Sequence, residues 1–198
     1  MIETESGRLA VPLGDAIEAD LRVEFGGGEL AVGAAPPGVL LAGDAPGAVV
    51  EPLGPGRLRI RPGPPTVQWR PLHWRLSVTP DVPLDLVLAS GGDRSGIDLS
   101  GIRVRRLRLD TGASETRVRL PSSGPTTVHV ACGFALVILE VPMDVGARIR
   151  GRLFLGTTDV DERRFPRAAD GWASPEAGDG DETIDIVVEG AFGTIRIV

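Results

Sequence analysis

The stretch of this chain that comes nearest to acid–base chemistry is Leu107-Arg108-Leu109-Asp110-Thr111-Gly112-Ala113-Ser114, an Asp-Thr-Gly-Ala turn that follows a hydrophobic strand. Two aspartates held on such turns can share one proton and activate water for hydrolysis. The chain has a single copy, so this chemistry would require a symmetric pair of chains, each supplying Asp110. The same frame carries Ala89 and Ser90 one repeat earlier and Ala131 and Cys132 one repeat later. Asp110 and Thr111 therefore read as members of a repeated turn, and a homodimeric aspartic protease using Asp110 is the remotest of three alternatives.

No other constellation comes closer to catalysis. His73 and His129 lie far apart, and neither has a Cys or His at metal-ligand spacing. No Gly-x-Ser-x-Gly elbow is present to expose a serine nucleophile. Asp159, Asp161, Glu162, Asp179, Asp181 and Glu182 are rich in oxygens, but their spacing does not make an EF-hand loop and reads as a solvated acidic segment. Gly26-Gly27-Gly28 follows a strand but leads into another strand, so it lacks the helix N-terminus that completes a phosphate cradle. Cys132 is the only cysteine, occupies a turn position held elsewhere by Ser90 or Thr111, and reads as a small filler. The expectation is a chain without catalytic residues, cofactor or metal.

What remains is contact chemistry. Arg103, Arg105, Arg106, Arg108, Arg117 and Arg119 fall on the polar positions of neighbouring strands and could together dock an acidic partner. The alternative is a solvated face on which Glu115 and Glu140 ladder with them. Trp69 and Trp74 flank Pro71 and would either cover an end of the fold or add an aromatic contact surface.

Composition narrows the partners further. A net charge of -6 on 198 residues argues against non-specific binding to nucleic acid or to an anionic membrane, both of which reward excess positive charge. No apolar run is long enough for a bilayer span and no leader-like start is visible, so the chain as given reads as cytoplasmic, or as membrane-associated if it is a fragment of a larger parent. A protein partner or self-association is expected.

The elements that must position these side chains are strands. Leu21-Arg22-Val23-Glu24-Phe25, Trp74-Arg75-Leu76-Ser77-Val78, Leu84-Asp85-Leu86-Val87-Leu88 and Ile184-Asp185-Ile186-Val187-Val188 alternate apolar with polar residues, the mark of half-buried strands. Glycine turns recur at a step of 21 residues from Gly91 to Gly112 to Gly133, and the frame returns at Gly26 and Ala191. No window shows a helical stripe. A strand-and-turn repeat of this length implies stacking, in which each coil buries its apolar side chains against the coils above and below. The expectation is an all-β, single-stranded β-helix, one domain over 1–198, with coils in chain order and an irregular excursion at 156–182 pinned by Phe165 and Trp172. Thr194 to Val198 would form an open end able to stack on another copy.

Val11-Pro12-Leu13-Gly14, Glu24-Phe25-Gly26-Gly27-Gly28-Glu29-Leu30, Pro80-Asp81-Val82-Pro83-Leu84-Asp85-Leu86, Leu109 to Ser114, Gly171 to Pro175 and Gly190 to Val198, in this order, resemble the toast-rack family of bacterial domains. That family is similar to the C-terminal domain of LiaF-type regulators of the cell-envelope stress response and to the solenoids named putative adhesins. The resemblance implies a right-handed β-helix without catalysis. It also implies a scaffold or interaction role tied to envelope sensing, with self-assembly into dimers or filaments as the structural alternative.

Overall fold

A computed structural model describes residues 2–3, 7–64, 71–178 and 182–198. Every regular element among them is a strand. In chain order these are β1 (Ile2–Glu3), β2 (Arg8–Pro12), β3 (Ala19–Ala34), β4 (Val39–Asp44), β5 (Ala48–Gly54), β6 (Arg57–Pro62), β7 (Leu72–Val78) and β8 (Leu84–Asp98). Then follow β9 (Val104–Thr111), β10 (Glu115–Arg119), β11 (Thr126–Glu140), β12 (Gly146–Val160), β13 (Arg167–Ala168), β14 (Gly171–Ala173) and β15 (Thr183–Ile197).

The body of the molecule is a parallel stack in the order β3, β8, β9 with β10, β11, β15, β12. Period-two alternation turns this stacking into columns. Leu21, Leu86, Leu107, Val128, Ile186 and Ile149 stand one above another, as do Val23, Leu88, Leu109, Val130 and Val188. Past the bend, Val32, Ile97, Val118, Leu139, Ile197 and Val160 form a third column. All of them are buried, and they belong to one apolar cluster that runs the length of the stack. The 21-residue step read from the sequence is the register step from Leu86 to Leu107 and from Leu107 to Val128.

Three features depart from the sequence reading. The coils do not stay in chain order, because β15 lies between β11 and β12. Thr194–Ile197 is consequently flanked on both sides rather than forming an open end. Apolarity explains the exchange: β15 carries Ile184, Ile186, Val188, Ile195 and Ile197, all fully buried, whereas β12 carries glycines, arginines and threonines that tolerate a sheet edge. Finally, 156–160 continue β12 in register with 193–197, so the excursion begins at Asp161.

The two ends of the stack are finished differently. Beyond β3, β6 and β7 pair in parallel with its two halves, and the antiparallel strands β5 and β1, and β4 and β2, extend from them. The prolines of β5 and β6 sit in this outlying hairpin, where missing donors are tolerated. At the other end, Phe165 is fully buried in the core, and β14 pairs with β12 only at Arg148 and Ile149.

Candidate interaction surfaces

The columns also decide what the outward side chains do. Where the second halves of the strands stack, His73, Glu29, Arg94 and Glu115 fall in one register column, and Asp98, Arg119 and Glu140 in another. Arg94 lies 3.3 Å from Glu115, and Arg119 lies 3.4 Å from Asp98 and 3.5 Å from Glu140. On the first halves, Arg105 reaches Asp85 and Glu18, each at 3.1 Å. Arg108 donates to Asp110 at 2.9 Å, and Arg59 makes a two-oxygen contact with Glu24 at 2.9 and 3.0 Å.

The arginines singled out from the sequence therefore occupy two faces. Arg103, Arg105 and Arg108 precede the bend at Gly112, whereas Arg117 and Arg119 follow it. Arg103 donates to the backbone carbonyl of Asp81, and Arg117 lies 3.7 Å from Glu140. Arg105, Arg117 and Arg119 meet carboxylates of adjacent rungs, Arg108 meets Asp110 of its own strand and Arg103 a backbone carbonyl, which is a laddered face rather than a free basic patch.

Trp74 is corrected outright as a contact residue. It is 1% exposed, its indole N–H donates to the Pro46 carbonyl at 3.1 Å, and its ring is tilted against Phe25 at 5.2 Å. The inward parity of β7 places it in the core, where its N–H finds a partner. Trp69 lies outside the described residues.

The remaining candidates are scattered. Asp110 accepts from Arg108 and stacks between Ala89 and Ala131. His73 lies 3.8 Å from Glu29, and His129 lies 3.3 Å from Glu189 on another part of the surface. The Cys132 thiol is buried, and desolvation pushes its pKa up, which removes thiolate reactivity. Asp159 pairs with Arg196 at 2.9 Å, and Glu162 accepts from Arg167 at 2.9 Å and from the Trp172 indole at 3.2 Å. Asp179 and Asp181 lie outside the described residues. Among the described residues no three His, Cys, Asp or Glu side chains gather as metal ligands.

The ladder has a pH signature. Hydrogen bonding from Arg59 holds the Glu24 carboxyl below its ordinary 4.5, and the Ser100 hydroxyl holds Asp98 below 3.8. A carboxylate depressed in the folded state contributes stability above its unfolded pKa and loses it as pH falls through the folded one. The melting temperature should accordingly decline below about pH 4.5. In Glu24→Gln it should be lower at neutral pH by the equivalent of under about 1 kcal/mol, since the pair is partly exposed. The gap between the two proteins should close on acidification, and a gap that widened would exclude this role for Glu24.

One surface went unnoticed in the sequence. At the bend, Gly27 and Gly92 are level, Phe134 is level with Phe192, and Phe192 with Leu155. The flanking registers place Ala113 between Gly92 and Phe134. The column thus begins with glycine and alanine and ends with three large apolar side chains. Phe134 and Phe192 stack at 4.7 Å with an interplanar angle of 4°. Phe134 is 70% exposed, Leu155 61% and the adjoining Phe154 83%, so this apolar corner faces solvent. The sequence signal was a change in side-chain size at fixed frame, from Gly91-Gly92 to Gly133-Phe134 and Ala191-Phe192, and it was masked by reading those turns only for their small residues.

Parallel strands stacked in register over one apolar cluster, with many outward charges matched between rungs, define an all-β stacking domain. Residues 55–138, from the turn that precedes β6 into β11, match the family described as the N-terminal domain of toast_rack, DUF2154, so the toast-rack likeness drawn from the residues holds. The crystal structure of a "putative cell adhesion protein" from Clostridium sporogenes ATCC 15579 superimposes with a TM-score of 0.81 at 18% identity, covering 96% of each chain. A "putative adhesin" from Bacteroides fragilis NCTC 9343 covers 96% of each chain at 10% identity and a TM-score of 0.42. The first of these likenesses is one of fold. No curated protein matches the chain. No helix among the described residues is long and apolar enough to cross a membrane.

Proposed function

We propose that this chain is a non-catalytic contact domain: a right-handed, single-stranded β-helix with coils of about 21 residues, acting as a scaffold or interaction module in cell-envelope stress sensing. The observation that carries the reading is the apolar corner of solvent-facing Phe134, Phe154 and Leu155, with half-buried Phe192 stacked on Phe134, beside faces on which many arginines are matched to carboxylates. Contiguous exposed apolar surface on a folded domain marks an interaction site. The envelope context is what the toast-rack resemblance implies, and a partner held at the membrane fits it.

The test is made in the source organism. Deleting the gene should alter transcription from an envelope-stress reporter, and Asp110→Asn should restore it as fully as the wild type does. Asp110→Asn should also leave the fold within about 1 kcal/mol, because it breaks only a half-exposed ion pair. An unchanged reporter would overturn the envelope role. Peptide hydrolysis at acid pH by the purified protein, lost in Asp110→Asn, would overturn the absence of catalysis.

A further inference from the structure

We propose that the bend of the rungs formed by β8 and by β9 with β10 encloses a binding site for one structural water molecule, held by the hydroxyls of Thr111, Ser95 and Thr116. The site is independent of the contact-domain reading above, because it lies inside the stack.

The first argument is composition at fixed register. Two inward columns meet inside the bend. The one before it runs Phe25, Ser90, Thr111, Cys132, and the one after it runs Leu30, Ser95, Thr116, Val137. The flanking rungs thus fill the corner with Phe25 and Leu30 on one side and with Cys132 and Val137 on the other, whereas the two middle rungs place four hydroxyls there. Ser95, Thr111 and Thr116 are buried within surroundings that are otherwise aliphatic. Exchanging a Phe–Leu pair for a Ser–Ser pair also leaves room, and a cavity of about 10 Å³ lies between Ser90, Ser95, Thr111 and Thr116.

The second argument is hydrogen-bond demand. Thr111 is 7% exposed, and its Oγ1 is fully buried with no hydrogen-bond partner among the described residues. A hydroxyl taken out of water needs a replacement partner. The groups across the cavity are committed in a way that suits water. The Ser95 hydroxyl donates to the Asp93 carboxylate, which can only accept, so Ser95 Oγ offers the cavity lone pairs alone. Thr116 Oγ1 lies 3.3 Å from Ser114 Oγ, and one proton serves that contact in either direction. A water that donates to Ser95 Oγ, accepts from the Thr111 hydroxyl and makes a third bond with Thr116 Oγ1 has the complement usual for a buried water.

The third argument limits the occupant. A space of this size admits the centre of a single water molecule and nothing larger. Its walls argue against an ion, since no charged side chain among the described residues lines it, and Asp93 meets Ser95 from behind. The Asp-Thr-Gly turn singled out in the sequence thereby acquires a use that is structural. Asp110 turns outward to Arg108, whereas Thr111 turns inward to the cavity.

A crystal structure at a resolution that shows ordered solvent tests this directly: a water peak should stand within hydrogen-bonding distance of Thr111 Oγ1 and Ser95 Oγ. Thr111→Val tests the energetics, because the two cases differ in sign. With the hydroxyl paired through water, its removal should lower the folding equilibrium constant about two- to tenfold, read as a lower urea midpoint. With the hydroxyl unpaired, the same change would relieve it and raise the midpoint. Thr111→Ser keeps the hydroxyl and should keep the water peak. Midpoints in sodium, potassium and lithium chloride at equal ionic strength should agree, as expected for a neutral occupant. Absence of the peak in the wild type, a midpoint unchanged or raised in Thr111→Val, or a midpoint that follows the identity of the alkali cation would each overturn the proposal. Should Thr111→Val fail to fold, the wild-type and Thr111→Ser crystals decide the question by themselves.

Discussion

Replacing Phe165 with alanine is expected to destabilise the protein by about 3 to 5 kcal/mol, the range for removing a fully buried aromatic ring. Phe165 is 0% exposed although it belongs to an irregular segment, and it belongs to the same apolar cluster as Ile149 and Ile186. The turn that delivers it is fixed by the backbone bond from Phe165 N–H to the Asp161 carbonyl at 2.8 Å. Its neighbour Arg164 holds it from the other side. That guanidinium donates to the Val141 carbonyl at 2.6 Å and also to that of Pro142, and its charge lies 4.8 Å from the Phe165 ring centre. In a stack, an end rung has a neighbour on one side only, so a side chain that closes the end does the work of the missing rung. Urea titration should therefore show a large fall in midpoint for Phe165→Ala. Trp172→Ala should cost less, because Trp172 is partly exposed and packs at the margin of the core. A Phe165→Ala protein within about 1 kcal/mol of wild type would mean that the excursion merely lies on the stack without closing it.

How far the fold was legible follows from which signals are local. The alternation in β3, β8, β9, β11 and β15 was written residue by residue, and the 21-residue step of the glycines gave the register between β8, β9 and β11 directly, because the side-chain period of two allows no slip without exposing the apolar columns. The order of the last two rungs was not legible. Both β12 and β15 satisfy the same frame, and the choice between them depends on which is better flanked on both sides, a comparison of whole strands rather than of any motif. The site suffered from the same limit. Arg117 and Arg119 looked available when read along their own strand, but their partners Asp98 and Glu140 arrive from adjacent rungs. Trp74 looked like surface because it neighbours prolines, yet its parity within β7 points it inward. Phe154 and Leu155 lie just before the excursion expected at 156–182, and only the pairing of Leu155 with Phe192 reveals that they crown an exposed column.

Gly112→Ala is expected to lower stability by about 2 to 4 kcal/mol, and the reason is space rather than backbone conformation. A Cβ placed on Gly112 would lie 2.5 Å from the Gly91 carbonyl oxygen of the rung beside it, and one on Gly91 would lie equally close to that of Gly26. These obstacles are backbone, so they cannot swing aside as a flexible side chain would. The Gly91 oxygen also accepts from Ala113 N–H at 2.7 Å, so pushing it away stretches a rung-to-rung hydrogen bond as well as the packing. Overpacking of this kind costs about 1 to 3 kcal/mol and the weakened bond about 1 more. Gly133 provides the internal control. Its Cβ would meet the Gly112 oxygen at 3.4 Å, close to ordinary contact, and the next residue in the column is already Ala191. Gly133→Ala should thus cost no more than about 1 kcal/mol, with part of the strain offset by the lower entropy of the unfolded chain. Thermal and urea denaturation of the pair would settle the matter: the rungs must lie closest between β8 and the β9–β10 bend and relax toward β11, so equal losses at Gly112 and Gly133 would contradict the column geometry from which the apolar corner is built.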